Sequence, residues 1–275
     1  MTTETTIAAE ANPALANKLA SDAIALAQQE RDATPLKAEI KLPADTLVEL
    51  AVGLDVPFEG LITTAEIREL NGADEEAIAK LNDPAKALML ILERAVVKLG
   101  DKPTDKGLLD ALLAGDRELL LLAIRRATFG DEVNLEGNIC KTCVEPQKMT
   151  VNLSDDVEIK KLNIEEKEFI VSCKVGPVLV KLPTGFTQKA LVSATNKTAA
   201  EMDSIVLKNC IVSINGNALI NTNDVLKLSI KDRRDILKEI SERNPGPQLS
   251  EVKKSCPNCG QEVPLPLTLA DLFQE

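Results

Sequence analysis

The chain has 275 residues, which is long enough for one large hydrophobic core or two ordinary ones, so it does not need disulfide bonds to compensate for a small volume. Its formal net charge is −11, and its 32 basic side chains form no cluster, so we do not expect nucleic acid as the main partner. Aromatic residues make up 2% of the chain, without Trp or Tyr, which argues against a base-stacking surface or an aromatic-lined ligand pocket.

The start of the chain, MTTETTIAAEANPAL, is acidic and rich in Thr and Ala, so it lacks the character of a secretory signal. The longest apolar runs, such as LLLLAI from Leu119, are too short to cross a bilayer, and we expect no membrane as a partner. We therefore predict a protein made in the cytoplasm. In that reducing compartment, paired cysteines more often bind metal or carry redox chemistry than form structural disulfides.

Residues 1–12 are mostly Thr, Glu, Ala and Asn, which cannot bury enough apolar surface to offset the entropy lost on ordering. The next segment, PALANKLASDAIALAQQERD from Pro13, has the apolar spacing of an amphipathic helix that ends at DATP. We therefore predict a disordered start and a helical arm over residues 1–35. The helix would pack either on its own domain or on another subunit.

Three further segments predict regular structure. Residues 36–43, LKAEIKLP, alternate apolar and polar side chains and end at a proline, which is typical of a strand. The segment EFIVSCKVGPVLVKLP repeats that pattern and predicts a hairpin, with Phe169 to Val175, a turn at Gly176-Pro177, and then Val178 to Leu182. The segment AKALMLILERAVVKL, from Ala85, has apolar residues at three- and four-residue steps and predicts a helix.

An internal repeat appears when the chain is compared with itself at an offset of 116 residues. The segment DRELLLLAIRRATFGDEVNLEGNICKTC then aligns without gaps with DRRDILKEISERNPGPQLSEVKKSCPNC. Unrelated helices followed by cysteine pairs would give unequal spacings between glycine and cysteine, whereas these are equal, which indicates a duplication. The identical pairs in this window are Asp116/Asp232, Arg117/Arg233, Leu121/Leu237, Ile124/Ile240, Gly130/Gly246, Cys140/Cys256 and Cys143/Cys259.

Each repeat is predicted to contain a helix that ends at Gly100 or Gly216, a helix that begins with Asp-Arg, a cysteine pair, and an alternating strand, MTVNL or LPLTL. The Asp would open its helix as an N-cap or first-turn acid, or the Asp-Arg pair would form a salt bridge at an interface. Gly130 and Gly246 would supply the left-handed residue at the end of that helix.

These elements predict an α+β protein of two tandem, related, helix-rich units, residues 36–155 and 156–275. Each unit ends in a cysteine knuckle and a short strand, and a small antiparallel β region joins the two units.

The two Cys-x-x-Cys pairs have the spacing of metal knuckles, because two intervening residues let both sulfurs face one ion. Cys140, Cys143, Cys256 and Cys259 together would make one tetrahedral, four-thiolate zinc site, with each repeat contributing half. With no histidine in the chain and four thiolate ligands, the site would be structural rather than catalytic. The alternatives are an iron–sulfur cluster, a redox-active pair, two separate intermolecular sites, or no metal. The other cysteines, Cys173 and Cys210, are predicted to be small buried apolar residues.

Signatures of catalysis are missing from the sequence. There is no histidine for acid–base chemistry, no Gly-x-Ser-x-Gly nucleophile turn and no Gly-rich phosphate loop ending in Lys. The sequence therefore favours a protein that is not an enzyme.

The order of motifs in the second part of the chain resembles the T-even-type bacteriophage baseplate hub subunit family. The matching residues are Leu182 to Gly185, the Asp232-Arg233 helix start, Cys256 to Gly260, and Leu272-Phe273 at the end, and the resemblance covers mainly residues 85–275. It implies a non-enzymatic structural protein of the virion tail baseplate that contacts other tail proteins within a multi-subunit assembly. The chain departs from the family pattern in its longer N-terminus and in the plain first knuckle, CKTC.

The leading hypothesis is therefore a structural component of a phage tail baseplate or hub, stabilised by the four-cysteine metal site. A tail assembly factor that leaves before the virion matures is the first alternative. A zinc-ribbon adaptor for nucleic acid is the second, and the acidic charge of the chain argues against it.

Overall fold

A computed structural model describes residues 47–137, 140–143, 146–194, 196–218 and 222–273. The predicted disordered start, the helix from Pro13 and the strand at residues 36–43 lie outside these residues. Within them, eight helices combine with sheets in which every strand pair is antiparallel, which confirms the predicted α+β class.

The first half of the described chain contains a hairpin, two helices, a second hairpin and two more helices. In chain order these are β1 (Leu47–Val56), β2 (Gly60–Ile67), α1 (Gly72–Ile78), α2 (Pro84–Ala95), β3 (Val96–Leu99), β4 (Lys102–Pro103), α3 (Lys106–Ala111) and α4 (Ala114–Phe129). The strands form one sheet in the order β1-β2-β3-β4. Helix α4 lies against β1 and β2 and buries Leu120 and Ile124 completely in the core between them.

A connecting region follows, with strands β5 (Glu132–Gly137), β6 (Gln147–Asn152) and β7 (Ile159–Lys160). Strands β5 and β6 form a two-stranded hairpin, and the first cysteine pair lies between them. Strand β6 confirms the strand predicted over most of MTVNL. Its buried side chains alternate with exposed ones, so Met149 and Val151 face the interior.

The second half contains the same kinds of element in the same order as the first. They are β8 (Glu168–Cys173), β9 (Gly176–Lys181), α5 (Gly185–Val192), α6 (Ala199–Cys210), β10 (Ile211–Ile214), β11 (Asn217–Ala218), α7 (Thr222–Leu226) and α8 (Ile230–Arg243). The strands again form a four-stranded sheet, in the order β11-β10-β9-β8. Each half is therefore a β-hairpin, two helices, a short hairpin and two helices.

The chain closes with β12 (Gly246–Pro247), β13 (Lys253–Ser255) and β14 (Glu262–Pro264). Strand β12 pairs with β7, and β13 pairs with β14 around the second cysteine pair. The strand predicted over LPLTL is wrong, because β14 ends at Pro264. Pro264 and Pro266 cannot donate to a ladder, and the segment is held by single hydrogen bonds instead, such as Leu267 N–H to the carbonyl of Leu249.

Helix α2 shows why the helix predicted from Ala85 to Leu99 was too long. It starts at Pro84, where the Asp83 carboxylate accepts the N–H of Ala85 at 3.0 Å, and it ends at Ala95. The β-branched Val96 and Val97 favour the extended backbone of β3. The second half behaves in the same way, because α6 ends at Cys210. The prediction of helices that end at Gly100 and Gly216 is therefore wrong, although both glycines do adopt positive φ.

The predicted hairpin in EFIVSCKVGPVLVKLP is present, but its turn lies two residues earlier than expected. Cys173 pairs with Gly176, so Lys174 and Val175 form the turn. Gly176 and Pro177 lie inside the ladder, where Pro177 opposes Ser172. Neither Lys174 nor Val175 has a positive φ, whereas Gly176 has a φ of +111°, so the glycine that follows the two turn residues supplies the left-handed conformation.

Two glycines allow the backbones of the two halves to approach closely where α4 begins. A Cβ on Gly115 would lie 2.0 Å from the carbonyl oxygen of Pro245, and a Cβ on Gly246 would lie 2.3 Å from the carbonyl oxygen of Gly115. Gly246 has a φ of +92°, but the C-cap of α8 is Asn244, so its predicted capping role is wrong. The same prediction is confirmed for Gly130, which caps α4 with a φ of +85°.

Candidate metal centre

The first cysteine pair lies in the loop of the β5–β6 hairpin. The backbone N–H of Cys140 donates to Oε1 of Gln147 at 3.0 Å, and Gln147 is the first residue of β6. Gln147 is itself buried, so its side chain fixes the start of the loop from inside the hairpin. Cys140 is buried and Cys143 is half-buried.

The second cysteine pair lies in the tight loop of the β13–β14 hairpin. The N–H of Cys256 donates to the carbonyl of Gln261 at 2.8 Å, and the N–H of Gly260 donates back to the carbonyl of Cys256 at 2.8 Å. Gly260 has a φ of +73°, which a residue with a side chain would adopt only at a cost. Cys256 is buried and Cys259 is exposed, so in both pairs the first cysteine is more deeply buried than the second.

The fold brings the four sulfurs of these two loops together. All four lie within 4.8 Å of one another, although more than 110 residues separate the two pairs. The Sγ atoms of Cys140 and Cys259 are 3.7 Å apart, and those of Cys143 and Cys256 are also 3.7 Å apart. Four sulfurs bound tetrahedrally to one ion at about 2.3 Å would be separated by about 3.8 Å, so this arrangement is compatible with a single metal ion.

The two knuckles also contact each other directly. Oγ1 of Thr142 donates to Oε1 of Gln261 at 2.5 Å, which joins the loops beside the sulfurs. Beneath them, Cys140 and Cys256 pack in one apolar cluster with residues from both hairpins and from the C-terminal segment, including Met149, Val263 and Leu265. This cluster limits how far the sulfurs can separate.

Hydrogen bonding gives the sulfurs different acidities. The backbone N–H groups of Thr142 and Cys143 point at the Cys140 sulfur and lower the pKa of this thiol to about 6. The Cys143 thiol is hydrogen-bonded to the Cys259 sulfur, and this contact together with desolvation raises the pKa of Cys143 to about 12. The four sulfurs are too close to ionise together unless a cation lies between them. A divalent ion would supply that charge.

Cys173 and Cys210 lie apart from this cluster. Cys210 is fully buried at the end of α6, and Cys173 is half-buried at the end of β8, and both belong to the apolar core of the second half. The prediction of a small buried apolar residue is confirmed for Cys210, whereas Cys173 is only partly buried against the same core. Desolvation raises the pKa of Cys210 to about 12, which keeps this thiol protonated and unreactive.

Asp116 and Asp232 are buried first-turn acids, as predicted, but each serves a hairpin as well as its helix. The Asp116 carboxylate accepts three backbone N–H groups, from Ala51, Val52 and Gly53 in the bulge of β1, at 2.7 to 3.0 Å. Asp232 accepts the N–H of Lys174 in the β8–β9 turn at 2.8 Å. Each acid therefore holds the hairpin of its own half against the last helix of that half.

The alternative interface salt bridge for the Asp-Arg pair is wrong for the first repeat. Arg117 is buried, with an exposed fraction of 3%, and it donates to the carbonyl of Leu109 at 2.7 Å and to Gln188 at 2.7 Å. Its nearest carboxylate is that of Asp110, at 3.8 Å. Arg117 therefore stabilises the interior of this chain.

Sequence reasoning missed the supporting glutamine of the first knuckle, although a signal was present. Gln147 is in phase with Met149 and Val151, so the alternation of β6 points its polar side chain inward. A polar residue at an inward position next to a cysteine pair is typical of a residue that orients metal ligands.

Comparison with known proteins gives one family and no individual relative. No curated protein matches the chain, and no solved structure matches it. Among the helices that the structure describes, none is both long enough and apolar enough to cross a membrane. The family described as T4 bacteriophage base plate protein matches residues 59–274, a range that contains both cysteine pairs, the second four-stranded sheet, and the first four-stranded sheet without β1. The chain therefore belongs to the T4 bacteriophage base plate protein family.

Proposed function

We propose that the protein is a structural component of a phage tail baseplate, stationed at or near the hub, that binds neighbouring tail proteins and is stabilised by one zinc ion. The convergence of four sulfurs from two distant hairpins is the observation that carries the metal assignment. Membership of a base plate family supports the location in the virion tail and tail proteins as partners.

A single ion fits the sulfur positions better than a cluster does. An iron–sulfur cluster holds its thiolates on different irons, so some of its sulfur ligands must lie further apart than the edge of one tetrahedron. Here no pair of the four sulfurs exceeds 4.8 Å. Among single ions, zinc has no geometric preference that opposes a tetrahedral set of four thiolates, and structural zinc sites commonly have this set.

The donor set also favours a structural role over a catalytic one. A catalytic zinc keeps one position open for water, whereas Cys140, Cys143, Cys256 and Cys259 would fill all four positions. The residues that flank the site, Gln147 and Gln261, orient loops through hydrogen bonds. We therefore propose a protein that acts by binding rather than by catalysis.

We further propose that the two halves arose by duplication, with repeat units 36–155 and 156–275. Their described elements follow the same order, with four-stranded sheets of the same connectivity. Three pairs of glycines that are 116 residues apart have positive φ in both copies, namely Gly60/Gly176, Gly100/Gly216 and Gly130/Gly246. In this arrangement the metal would join the ends of two equivalent modules.

Metal content tests the site directly. Elemental mass spectrometry of the purified full-length chain should find one zinc per chain, with no visible absorption. Cys256→Ser should lose the metal, whereas the matched change Cys173→Ser should keep it, because Cys173 lies in a different core. If the chain instead contains iron and absorbs visible light, the ion must be assigned as iron. If wild-type chain purified without chelator holds no metal, the proposed metal site is wrong.

The protein composition of purified virions and baseplates tests where the protein is located. Mass spectrometry should find the chain in purified virions and in isolated baseplates. A chain that occurs in assembly intermediates but not in virions would instead be an assembly factor. Tight binding of DNA or RNA at low salt would favour a nucleic-acid adaptor, an outcome that the charge of −11 opposes.

A further inference from the structure

An open cleft of about 510 Å³ lies where the two halves meet, between the start of α4, the end of α8 and the C-terminal segment. Backbone hydrogen bonds fix its edge, because Ala114 N–H donates to the carbonyl of Pro183 at 2.8 Å and Gly185 N–H donates to the carbonyl of Leu112 at 3.0 Å. The close contact of Gly115 with Pro245 adjoins the same edge. The cleft is therefore a fixed feature of the junction between the halves.

The walls of the cleft mix aliphatic and polar residues, and one carboxylate lies among them. Ile240, Leu249 and Leu267 are buried side chains that line it. Glu118, in the second turn of α4, is the only ionisable residue of the lining, which contains neither Lys nor Arg. The cleft thus combines aliphatic and uncharged polar walls with a single carboxylate.

Glu118 has no hydrogen-bond or ion-pair partner among the described residues. Burial alone raises the pKa of its carboxyl to about 7, and no neighbouring charge contributes. Asn244, at the end of α8, also lines the cleft, and its buried Oδ1 has no partner among the described residues. The Asn244 oxygen is a buried acceptor without a donor, which is uncommon and costly, and the half-buried Glu118 carboxylate at the same cleft also lacks a donor among the described residues.

We propose that this cleft binds the side chain of a lysine or arginine presented by a neighbouring baseplate protein. The ammonium or guanidinium group pairs with the Glu118 carboxylate, and the aliphatic stem of the side chain lies along Ile240 and Leu267. Such a side chain suits both the carboxylate and the aliphatic wall of the cleft, because Lys and Arg carry their charge at the end of an apolar stem. This inference rests on the proposed role in the baseplate, since it identifies one contact through which that role is carried out.

A small probe tests the chemistry of the cleft without the partner. N-acetyl-lysine amide, added to the full-length chain at millimolar concentration, should shift the amide resonances of Glu118, Ser241 and Leu267 in nuclear magnetic resonance spectra. N-acetyl-norleucine amide has the same stem without the ammonium group and should cause at least tenfold smaller shifts. Glu118→Gln should abolish the effect, and Glu76→Gln, at an exposed helix position, should preserve it. Equal shifts with both probes would overturn the inference.

Incorporation into baseplates tests the biological partner. In infected cells, Glu118→Gln should lower the amount of chain in baseplates at least tenfold, while its melting temperature at pH 8 equals or exceeds that of the wild type. Ser241→Trp is the second variant, because it blocks the mouth of the cleft from an exposed position on α8 and leaves the carboxylate intact. Normal incorporation of both variants would overturn the inference.

A failure of the proposed function has a different signature. In that case the wild-type chain itself would be missing from baseplates and from their intermediates, while selective binding of the lysine probe would persist. Self-association that disappears in Glu118→Gln would show that a second copy of this chain supplies the cation, which would overturn the choice of a different protein as partner.

Discussion

Replacing Glu118 with Gln should stabilise the isolated chain above neutral pH and should have much less effect near pH 5. The folded pKa of Glu118 is about 7, against an ordinary value of 4.5. Since each pKa unit corresponds to about 1.4 kcal/mol, ionisation of this side chain in the folded protein costs about 3 kcal/mol. Below pH 4.5 the group is protonated in both states and costs nothing. Stability then falls as pH rises from 4.5 to 7, and the loss is complete above 7.

Urea denaturation at pH 5, 6, 7 and 8 would measure this difference, with the wild type and the variant compared at each pH. Any change in metal binding with pH affects both proteins and cancels in the comparison. Glu76→Gln removes the same charge from an exposed position and should give a small difference that does not depend on pH. A Glu118→Gln effect that stays constant from pH 5 to 8, or that destabilises at pH 8, would refute the reasoning, because it would mean that the carboxylate is already satisfied within the chain.

Four further changes test other contacts. Cys256→Ser should release the metal and speed hydrogen exchange in both β6 and β14, whereas a change confined to β13 and β14 would contradict a shared site. Asp116→Asn should destabilise by about 2 kcal/mol in urea, because its amide NH₂ would face a backbone N–H that the carboxylate accepts. Gly115→Ala should destabilise by about 2 kcal/mol or more, since its Cβ would lie 2.0 Å from the carbonyl oxygen of Pro245; an unchanged denaturation midpoint would show that the helix start can shift. Phe58→Gly should stabilise by about 0.5–1 kcal/mol, because Phe58 has a φ of +68° and a fully exposed ring, and a loss of stability would mean that the ring packs on the protein.

The order of the main elements could be predicted where local chemistry and position agree. Asp83 before Pro84 identifies the start of α2, and the alternation of EFIVSC identifies β8. The ends of α2 and α6 could not be predicted from apolar spacing, because Val96 and Ile211 continue the spacing while the backbone changes from helix to strand. Sheet pairing with distant strands decides that change, and a local pattern does not contain it.

The candidate metal centre could be predicted from the sequence because its ligands form a local pattern. Two equal knuckles without other ligands leave only one way to complete four-fold coordination within the chain, and the fold does bring the four sulfurs together. The cleft could not be predicted from the sequence. Glu118 lies inside the run DRELLLL and looks like an ordinary surface acid of a helix, and only the packing of α8 and the C-terminal segment against α4 makes it a charge without a partner.

The metal centre and the cleft share an apolar cluster but differ in their polar contacts, which has a consequence for how the protein would work in an assembly. The cleft is fixed by backbone hydrogen bonds of Ala114 and Gly185 and by the contact at Gly115, none of which involves a cysteine. The knuckles are held by the thiolates and by the Thr142 to Gln261 hydrogen bond. Leu249 and Leu267 of the cleft pack in the same apolar cluster as the cysteines, so loss of the metal should loosen the cysteine hairpins and this wall of the cleft, while the edge at the start of α4 keeps its shape. Under the proposed function, metal binding would govern the durability of the folded subunit, and the carboxylate in the cleft would govern which neighbour the subunit accepts.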